Sequence, residues 1–401
     1  MTFNFQPASV KAVCGALTNK VRLMTKNQML PLLDAEGYVL SHALTAPMHI
    51  PPHDNSAMDG YALRCVDAHL TLPISQVITA GSMPAPLQIG TAARIFTGAP
   101  IPTGADAIIA QEQVTMLANQ HIQCMQRPVT GQYIRRIGED IAANSLLLDA
   151  GLVLTPSAIG LAASVGVAQL SVVKPLRCAL FFTGDELLEP GDQGCLNKIY
   201  NTSRYWLHTR LKQLRCEVID LGIIKDDPIA IMDAISQVAG QVDVILTCGG
   251  VSVGDKDFVK AAVSELGELY LWKVAMKPGK PFAFGRIQDA DFMGLPGNPV
   301  SGFIAFEIFV KPFLLARLGV VPTLTLRAIP TCAAFTVAKP DPDRETFLRV
   351  QRKQDDSGWY LEPYPNQSSG VFSSCFWANG LAHIFAGQTV KAGDQVDFLP
   401  W

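Results

Sequence analysis

The 401-residue sequence predicts a multidomain protein of the α/β plus β class. Its length exceeds what one hydrophobic core usually serves, at about 150 residues per domain. Apolar runs alternate with amphipathic segments between residues 176 and 320, whereas residues 45–135 and 321–401 show short β-branched runs separated by Pro and Gly. With 49% hydrophobic and 17% charged residues, the chain can bury enough apolar surface to exclude disorder as its dominant state.

Residues 20–44 show helical spacing of apolar residues, which predicts two short helices interrupted by a proline and a glycine. The same helical texture returns after Gly138. The stretch 150–173 holds no formal charge and is long enough to span a bilayer, yet Thr155-Pro156 predicts a helix start. We therefore expect a short buried helix there, then a strand over 167–173, and no membrane span. The sequence alone leaves open whether residues 45–135 are an insertion.

Residues 45–135 form the first β-rich region, with the runs ISQVITA, AARIFTG and DAIIAQEQV as predicted strands. One of its loops carries Asp59 among small polar residues, and a Thr-Gly turn begins at Thr97. His49 and His53 lie four residues apart, but two intervening prolines forbid the helix that a zinc-binding pair requires. We interpret both histidines as structural.

Residues 176–320 show strand-like runs over 178–183, 216–222, 242–250 and 269–275, alternating with amphipathic segments over 203–215, 228–239 and 257–266. This alternation predicts a parallel sheet covered on both faces by helices. In such sheets ligands bind beyond the carboxyl ends of the strands. The loops after these runs should therefore carry the chemistry.

Two of these loops contain paired acidic residues. The first, Thr183-Gly184-Asp185-Glu186, can place two carboxylates around a hard cation, although an ordinary helix start with acidic residues explains it equally well. In the second, Asp226-Asp227-Pro228, a helix start is favoured unless the fold brings Asp226 beside the other loops.

The third loop, residues 247–257, is rich in glycine. It contains Gly249, Gly250, Ser252 and Gly254, and their backbone N–H groups can face an anion at the start of a helix. The spacing matches neither the Walker motif nor the dinucleotide-binding motif, which weakens both interpretations. We expect an anion cradle here.

The fourth loop carries Lys273, Lys277 and Lys280, with a proline after each of the last two. Lysine suits phosphate as a compact point charge, and so rigid a turn is not needed for solubility alone. Residues 294–301 then lead into a helix expected to run to residue 317. Asn298 is its natural N-cap, and phosphate binding at that helix end is a secondary possibility.

The charge and cysteine patterns exclude several classes of protein. Thirty-two basic and 35 acidic residues give a net charge of −3 without a long run of one sign, so no nucleic-acid or membrane partner is expected. Nine cysteines without a C-x-x-C pair indicate reduced thiols, not a disulfide framework. The N-terminus shows no secretory signal, and we expect a cytoplasmic protein.

Eight motifs together resemble the MoeA family of molybdopterin molybdenumtransferases, whose eukaryotic relatives include the E domain of gephyrin. They are DNSAMDGYA, FTGAPIPTGAD, RRIGEDI, FTGDEL, GIIKDDP, CGGVSVGDKD, KPGKPFAFG and GLPGNPVSG. The likeness covers nearly the whole chain, and the motifs occur in the family's order. Each motif alone is weak, but their number and order make chance improbable.

The resemblance implies four domains. These are a discontinuous helical domain (1–44 and 136–175), an inserted β-rich domain (45–135), a molybdopterin-binding α/β domain (176–320) and a C-terminal β-barrel (321–401). It also implies a homodimer, whose active cleft forms between the α/β domain of one subunit and the inserted β domain of the other.

The implied reaction transfers molybdenum from molybdate to adenylylated molybdopterin and releases AMP, with Mg²⁺ as cofactor. The predicted loops agree with this chemistry, because carboxylates can hold Mg²⁺ while lysines and glycine amides neutralise phosphate and molybdate. Besides the pterin substrate, the resemblance implies the molybdopterin adenylyltransferase and recipient molybdoenzymes as partners.

The family's functional positions can be carried over residue by residue. The implied catalytic residues are Asp59, Asp140, Glu186, Asp226, Asp257, Lys273 and Lys277, with Glu186 and Asp226 as metal ligands. The implied binding residues are Thr97, Arg135, Thr183, Gly184, Gly249, Gly250, Ser252, Gly254, Lys280, Pro296, Pro299, Arg349 and Ser369.

The chain departs from the family pattern in two places, at three positions. Relatives usually read Ile-Tyr-Asp-Ser/Thr-Asn where this chain has Asn201 and Ser203 in place of the acid and the final amide. His53 also stands where an aromatic residue is common. These changes leave room for a paralogue with altered activity. The related adenylyltransferase is disfavoured because it resembles the α/β domain alone, and a non-catalytic scaffold is disfavoured because the acidic positions are intact.

Overall fold

A computed structural model of the chain describes residues 7–194, 197–251, 258–320, 328–356 and 358–401. Three six-stranded sheets contain most of the described strands, and smaller two-stranded pairings accompany them. The predicted α/β plus β class is confirmed, including a closed barrel near the C-terminus.

The N-terminal elements are, in chain order, α1 (Val10–Lys20), β1 (Asn27–Pro31), β2 (Leu44–Thr45), β3 (Asn55–Ser56), β4 (Gly60–Leu63), β5 (Thr71–Ile78), β6 (Ala92–Ile95), β7 (Ala107–Ala110), β8 (Val114–Leu117), β9 (His121–Cys124), β10 (Ile134–Arg135), β11 (Leu146–Leu148), α2 (Pro156–Ser164) and β12 (Gln169–Val173). The central elements are β13 (Arg177–Thr183), β14 (Leu187–Leu188), β15 (Ile199–Tyr200), α3 (Thr202–Gln213), β16 (Glu217–Ile224), α4 (Pro228–Ala239), β17 (Val244–Cys248), α5 (Phe258–Leu266), β18 (Glu268–Lys273), β19 (Met276–Lys277), β20 (Pro281–Ile287) and β21 (Ala290–Leu295). The remaining elements are α6 (Pro299–Ala305), α7 (Lys311–Arg317), β22 (Ile329–Ala333), β23 (Glu345–Asp355), β24 (Gly358–Pro363), α8 (Ser373–Trp377), β25 (Gly380–Ile384) and β26 (Gln395–Pro400).

The two segments that flank the first β-rich region pair with each other. Strand β1 runs antiparallel to β12, and β2 runs antiparallel to β11. The expectation of two helices within residues 20–44 was wrong, because pairing with β12 makes residues 27–31 a strand and leaves only a 3-10 turn at Leu32–Asp34. The helix and strand predicted within 150–173 are confirmed, and the Thr155 hydroxyl accepts the N–H of Ala158 as an N-cap.

The first β-rich region folds as a six-stranded sheet with the order β7-β4-β6-β5-β9-β8. Strands β5 and β6 are parallel, while the other pairs are antiparallel. Small and β-branched side chains fill its interior, among them Ala62, Ile95 and Ile108. The loops 54–59 and 96–101 leave one end of this sheet.

The central sheet has the order β16-β13-β17-β21-β20-β18. Its first four strands are parallel, as predicted, and successive side chains of β13 enter different cores, with Phe181 on the α4 and α5 side and Phe182 on the α3 and α6 side. Strand β18 differs from the prediction because it pairs antiparallel with β20. The turn between them is residues 274–280, too short for the crossover that a parallel pair needs.

The helical stretch Pro299–Arg317 joins α6 to α7 through a π-helical turn at Phe306–Val310. By length and composition it could cross a membrane, with a mean hydropathy of 1.6, and it is the one such helix in the described part of the chain. However, 67% of it is buried within the molecule, where Phe306, Phe309 and Phe313 pack against the central sheet. This is the environment of a core helix.

The C-terminal strands close into a five-stranded barrel, because β23 pairs with both β24 and β25. Its interior contains Val350, Leu361 and Phe398. Strand β19, which belongs to the turn between β18 and β20, adds to this sheet by pairing in parallel with β23. The barrel is therefore attached directly to the turn that carries the predicted lysines.

Candidate functional site

The parallel strands β13, β16, β17 and β21 end at one edge of the central sheet. Strand β18 ends at the same edge, because it is antiparallel to β20 and β20 is antiparallel to β21. The loops that follow Thr183, Ile224, Cys248, Lys273 and Leu295 therefore meet there. These are the loops in which the sequence placed most of its candidate residues.

Asp226 is joined to the end of β13. The hydroxyl of Thr183, which is only 4% exposed, donates to Asp226 Oδ1 at 3.0 Å. The neighbouring Asp227 makes the helix cap instead, since its side chain accepts the N–H groups of Ile229 and Ala230 at 3.1 Å. The two adjacent acids thus have separate functions, which the Asp-Asp-Pro pattern could not resolve.

The glycines of the third loop allow two backbones to approach closely. A Cβ at Gly249 would lie 2.4 Å from the carbonyl oxygen of Thr183, and Gly249 also has a φ of +101°. A Cβ at Gly250 would lie 2.7 Å from the Thr183 methyl group. A side chain at Gly249 would therefore displace the Thr183 backbone, and one at Gly250, whose φ is +65°, would displace the side chains of Thr183 and Val259. Ser252, Gly254 and Asp257, predicted for the same loop, lie outside the described residues.

Glu186 folds back over the end of β13. A Cβ at Gly184 would lie 2.7–2.9 Å from the Glu186 carboxyl group, which places that carboxylate directly above the Gly184 backbone. Glu186 and Asp226 therefore flank the Thr183-Gly184 turn. Within the described ranges, His, Cys, Asp and Glu side chains form no group of three that could hold a metal ion. Two carboxylates nevertheless suit Mg²⁺, which commonly takes one or two protein oxygens and completes its shell with water and phosphate.

The lysine turn, which we define as residues 273–280, lies beside the start of α6. The N–H of Val274 donates to the carbonyl of Lys280 at 2.9 Å, which closes the turn, and the Cβ position of Gly279 lies 3.5 Å from the Ser301 carbonyl oxygen. The side chain of Lys273 is partly buried, while Lys277 and Lys280 are exposed. The turn can therefore present positive charge toward the loop that contains Pro296 and Pro299.

Ser369 and Arg349 approach this edge from the barrel. The carbonyl of Ser369 accepts the N–H of Val300 at 3.3 Å, at the start of α6. Arg349 is 1% exposed, and its guanidinium donates to Ser374 Oγ and to the Ser368 carbonyl, each at 3.1 Å. Burial lowers the pKa of Arg349. The contacts of Arg349 thus hold the loop before Ser369, and its contact with an anion stays a prediction.

The β-rich region contains a second group of predicted residues. Asp59 is half-buried and accepts the N–H of Thr97 at 2.8 Å and the Thr97 hydroxyl at 2.7 Å. The bond from the Thr97 backbone, followed by that from its hydroxyl, lowers the pKa of Asp59. Arg135 lies on β10, which pairs with β3, and Asp140 donates its N–H to the Ile50 carbonyl at 3.0 Å. These residues surround the loop 54–59.

An ion pair that the sequence did not predict holds this second group together. Arg136 lies 2.6 Å from Asp54, and the Ile137 N–H donates to the same carboxyl group at 2.8 Å. Burial alone would raise the pKa of Asp54, but the Ile137 N–H and the Arg136 guanidinium outweigh it and lower that pKa. His49 is also structural, since its Nδ1 accepts the N–H of Ala143 at 3.2 Å. The RRIGED motif was the available signal, but it does not identify the partner acid.

Of the three positions that depart from the family pattern, Asn201 and Ser203 are buried, whereas His53 is exposed. Asn201 caps α3 by accepting the Arg204 N–H at 3.2 Å, a contact that an aspartate makes equally well. Ser203, in the first turn of α3, is 7% exposed. Asn201 and Ser203 therefore preserve the helix start and lie in the buried part of the molecule.

The two groups of site residues are separate within one chain. Each group is connected internally by hydrogen bonds, but over the described ranges no hydrogen bond or ion pair links residues 54–61, 97 or 135–140 to the loops of the central sheet.

Family models of known proteins match nearly the whole chain. Residues 8–166 match the family model described as "MoeA N-terminal region (domain I and II)", residues 179–316 match "Probable molybdopterin binding domain", and residues 336–401 match "MoeA C-terminal region (domain IV)". The chain is 42% identical over 300 residues to a protein of Haemophilus influenzae named molybdopterin molybdenumtransferase, covering 73% of each chain. It is 36% identical over 386 residues to a protein of the same name from Synechococcus elongatus, covering 92% of this chain and 93% of that one.

A solved structure shows the same architecture. The molybdopterin biosynthesis MoeA protein from Pyrococcus horikosii superimposes with a TM-score of 0.82 at 26% sequence identity. The match covers 98% of this chain and 99% of the Pyrococcus chain.

Proposed function

The chain belongs to the MoeA family of molybdopterin molybdenumtransferases, and we propose that it transfers molybdenum from molybdate to adenylylated molybdopterin with release of AMP. An enzymatic role as a molybdopterin molybdenumtransferase in molybdenum cofactor biosynthesis follows from the family. The adenylylated substrate, the AMP product and a requirement for Mg²⁺ are the finer parts of the proposal.

The main support for the proposal is that two carboxylates and the lysine turn lie at the same edge of the central sheet. Asp226 is fixed by Thr183 and Glu186 lies over Gly184, while Lys273 ends a strand that points to the same edge. Substrates with phosphate and molybdate groups need both a cation site and fixed positive charge. This edge supplies candidates for each.

Glu186 and Asp226 would hold the Mg²⁺ ion, because their oxygen atoms are the ligand type it prefers. When bound, the ion supplies charge neutralisation and polarisation of phosphate oxygens. The hydrogen bond from Thr183 orients the Asp226 carboxylate. Because the hydroxyl bonds only to Oδ1, this bond leaves Oδ2 for a ligand. The glycines at 249 and 250 keep side chains out of the space next to Thr183.

Lys273 and Lys277 would neutralise the anionic substrates. Both are borne by a short turn that is fixed at Val274 and packs near α6, so their charges stay close to the sheet edge. Losing one of them should remove a charged hydrogen bond worth roughly 1.5–3 kcal/mol, or about tenfold to a hundredfold in affinity or rate.

We further propose that the complete site forms between two subunits. Asp59, Thr97, Arg135 and Asp140 form one group, in which all but the half-buried Asp59 are exposed. Their separation from the sheet edge within one chain supports a partner subunit as the source of the missing half. A homodimer would bring the group of one subunit to the edge of the other. Molybdopterin adenylyltransferase and recipient molybdoenzymes are proposed as further partners.

The activity test is to incubate the purified protein with adenylylated molybdopterin, molybdate and Mg²⁺ and to follow AMP release. Glu186→Ala should abolish turnover, whereas Glu217→Ala, at the opposite end of the sheet, should leave it unchanged. Absence of AMP release by the wild-type protein, or a wild-type rate in Glu186→Ala, would contradict the proposal.

A complementation test addresses the shared site. Asp59→Ala and Asp226→Ala chains should each be inactive, and heterodimers reassembled from the two should regain activity because one of their two sites is intact. A fully active monomer in sedimentation, or no recovery in verified heterodimers, would contradict the shared site.

A further inference from the structure

The backbone of the lysine turn (residues 273–280) is hydrogen-bonded to the segment before α1 and to the C-terminal barrel. Near the N-terminus, Ala8 donates its N–H to the Lys273 carbonyl at 3.1 Å, and Ala275 donates its N–H to the Ala8 carbonyl at 2.8 Å. From the barrel, Glu345 donates its N–H to the Ala275 carbonyl at 3.0 Å. The backbone of Ala275, between the two lysines 273 and 277, is therefore bonded on both sides to distant parts of the chain.

The side chain of Glu345 joins the start of α1 to the barrel, while its backbone N–H holds the lysine turn. Its Oε1 accepts the N–H of Val10, the first residue of α1, at 3.3 Å. Its Oε2 lies 2.6 Å from His383 Nε2, and because a carboxylate only accepts, Nε2 carries the proton. His383 is 7% exposed and stacks on Phe347, with ring centroids 4.5 Å apart and an angle of 9° between the planes.

The contacts of Glu345 offset the free-energy cost of burying its carboxylate. A largely buried carboxylate is unfavourable unless both oxygens are paired, and here an N–H at a helix start and an imidazole pair them. The charge also acts on α1, since burial and then Glu345 raise the pKa of the Cys14 thiol to about 11.

We infer that Glu345, held by His383, is a positioning residue that sets where Lys273 and Lys277 present their charges. This inference rests on the proposed function, in which these lysines bind the anionic substrates. A lysine ammonium sits on a flexible four-carbon stem, so the protein limits its range mainly by fixing the backbone that bears it. The barrel would thus contribute to the reaction through Glu345 without contacting substrate there.

The kinetic test compares Glu345→Ala in two backgrounds. In the otherwise wild-type chain it should raise the KM for molybdate by roughly tenfold to a hundredfold with a smaller change in kcat, because displacing a binding group by about 1 Å has effects of this size. In a background in which Lys273 and Lys277 are both replaced by Gln, the same substitution should add less than about twofold, since both groups that it positions are gone. Equal effects in both backgrounds would overturn the inference.

Two controls separate positioning from loss of stability. Glu362→Ala removes a carboxylate that pairs with Lys353 on the same barrel and should leave the molybdate KM unchanged. Glu345→Gln keeps the shape and an acceptor for the Val10 N–H, so it should fold and show a smaller rise in KM than Glu345→Ala. A wild-type KM in both Glu345 variants would overturn the inference.

Hydrogen exchange gives a measurement that does not depend on activity. The amides of residues 274–277 should exchange faster in Glu345→Ala and at the wild-type rate in Glu362→Ala. Unchanged exchange in Glu345→Ala contradicts the positioning role. Unchanged molybdate dependence in Lys277→Gln instead contradicts the proposed anion site, so the two failures can be told apart.

Discussion

Asp59 in the β-rich region and Asp226 at the central sheet each accept a hydrogen bond from a threonine hydroxyl, at 2.7 and 3.0 Å. Their surroundings differ. Thr97 is exposed and donates its backbone N–H to the same carboxylate as well, whereas Thr183 is buried and has glycine backbone packed against its carbonyl oxygen.

The two carboxylates are therefore kept in place by different interactions. In the β-rich region the geometry depends on hydrogen bonds in an exposed loop, which water can partly replace. At the sheet edge it depends on close packing around a buried hydroxyl, which water cannot replace. Substitutions should therefore be more damaging at the sheet edge than at matched positions in the β-rich loops.

The largest effect should come from adding one methyl group to a glycine. Gly249→Ala should destabilise the protein by about 2–5 kcal/mol and abolish turnover, because the φ of +101° is strained for alanine and the new Cβ would meet the Thr183 carbonyl oxygen at 2.4 Å. Gly98→Ala in the β-rich region shares a positive φ of +80° but meets nothing within 4 Å, so it should cost only about 1–2 kcal/mol. Thermal unfolding followed by circular dichroism measures both, and equal shifts would remove the contrast.

Removing the two hydroxyls should have a smaller but still unequal effect. Thr183→Val deletes the hydroxyl bond to Asp226 and should lower turnover about tenfold or more, since hydrogen bonds to charged groups contribute roughly 1.5–3 kcal/mol. Thr97→Val leaves the backbone N–H on Asp59 and should change turnover by less than about threefold. Steady-state rates of AMP release measure both. A larger loss in Thr97→Val would reverse the comparison.

The pH response of Asp59 should sharpen the account of the β-rich loop. Because the folded-state pKa is lowered, Asp59 favours folding at neutral pH, and this contribution is lost only as the pH falls below the usual value of about 3.9 and through the folded value. Thr97→Val should move the pKa of Asp59 upward toward that usual value. Carboxyl-carbon NMR titration tests this, with Asp54 as the control, since its lowered pKa depends on Ile137 and Arg136. No movement at Asp59 would contradict it.

The smallest expected effect concerns alkylation of the Cys248 thiol, which we expect to be very slow. Burial raises the pKa of this thiol to about 11, so at pH 8 almost none of it is thiolate and reagents cannot reach it. Cys65 and Cys124 in the β-rich region are partly exposed and should be alkylated first, although burial raises the pKa of each. Peptide mapping after iodoacetamide treatment measures the order. Early labelling of Cys248 would show that the sheet edge opens in solution.

The sequence was sufficient for the parts of the fold that local patterns specify. Strands β13, β16 and β17 and helices α3, α4 and α5 lie where apolar runs and amphipathic segments predicted them. Thr155-Pro156 and Asp227-Pro228 begin helices as their capping chemistry requires. The carboxyl ends of parallel strands also predicted the edge at which most candidate residues lie, because strand direction fixes where their loops meet.

Tertiary structure decided what depends on residues distant in the sequence. Pairing with β12 made residues 27–31 a strand despite their helical spacing, and a short turn made β18 antiparallel. The choice of Asp226 over Asp227 as the acid on Thr183, the burial of Arg349 and the bond between Glu345 and His383 all join segments far apart in the chain. No local pattern encodes such pairs, because the same side chain is an exposed acid or a fixed one depending only on which distant group the fold brings beside it.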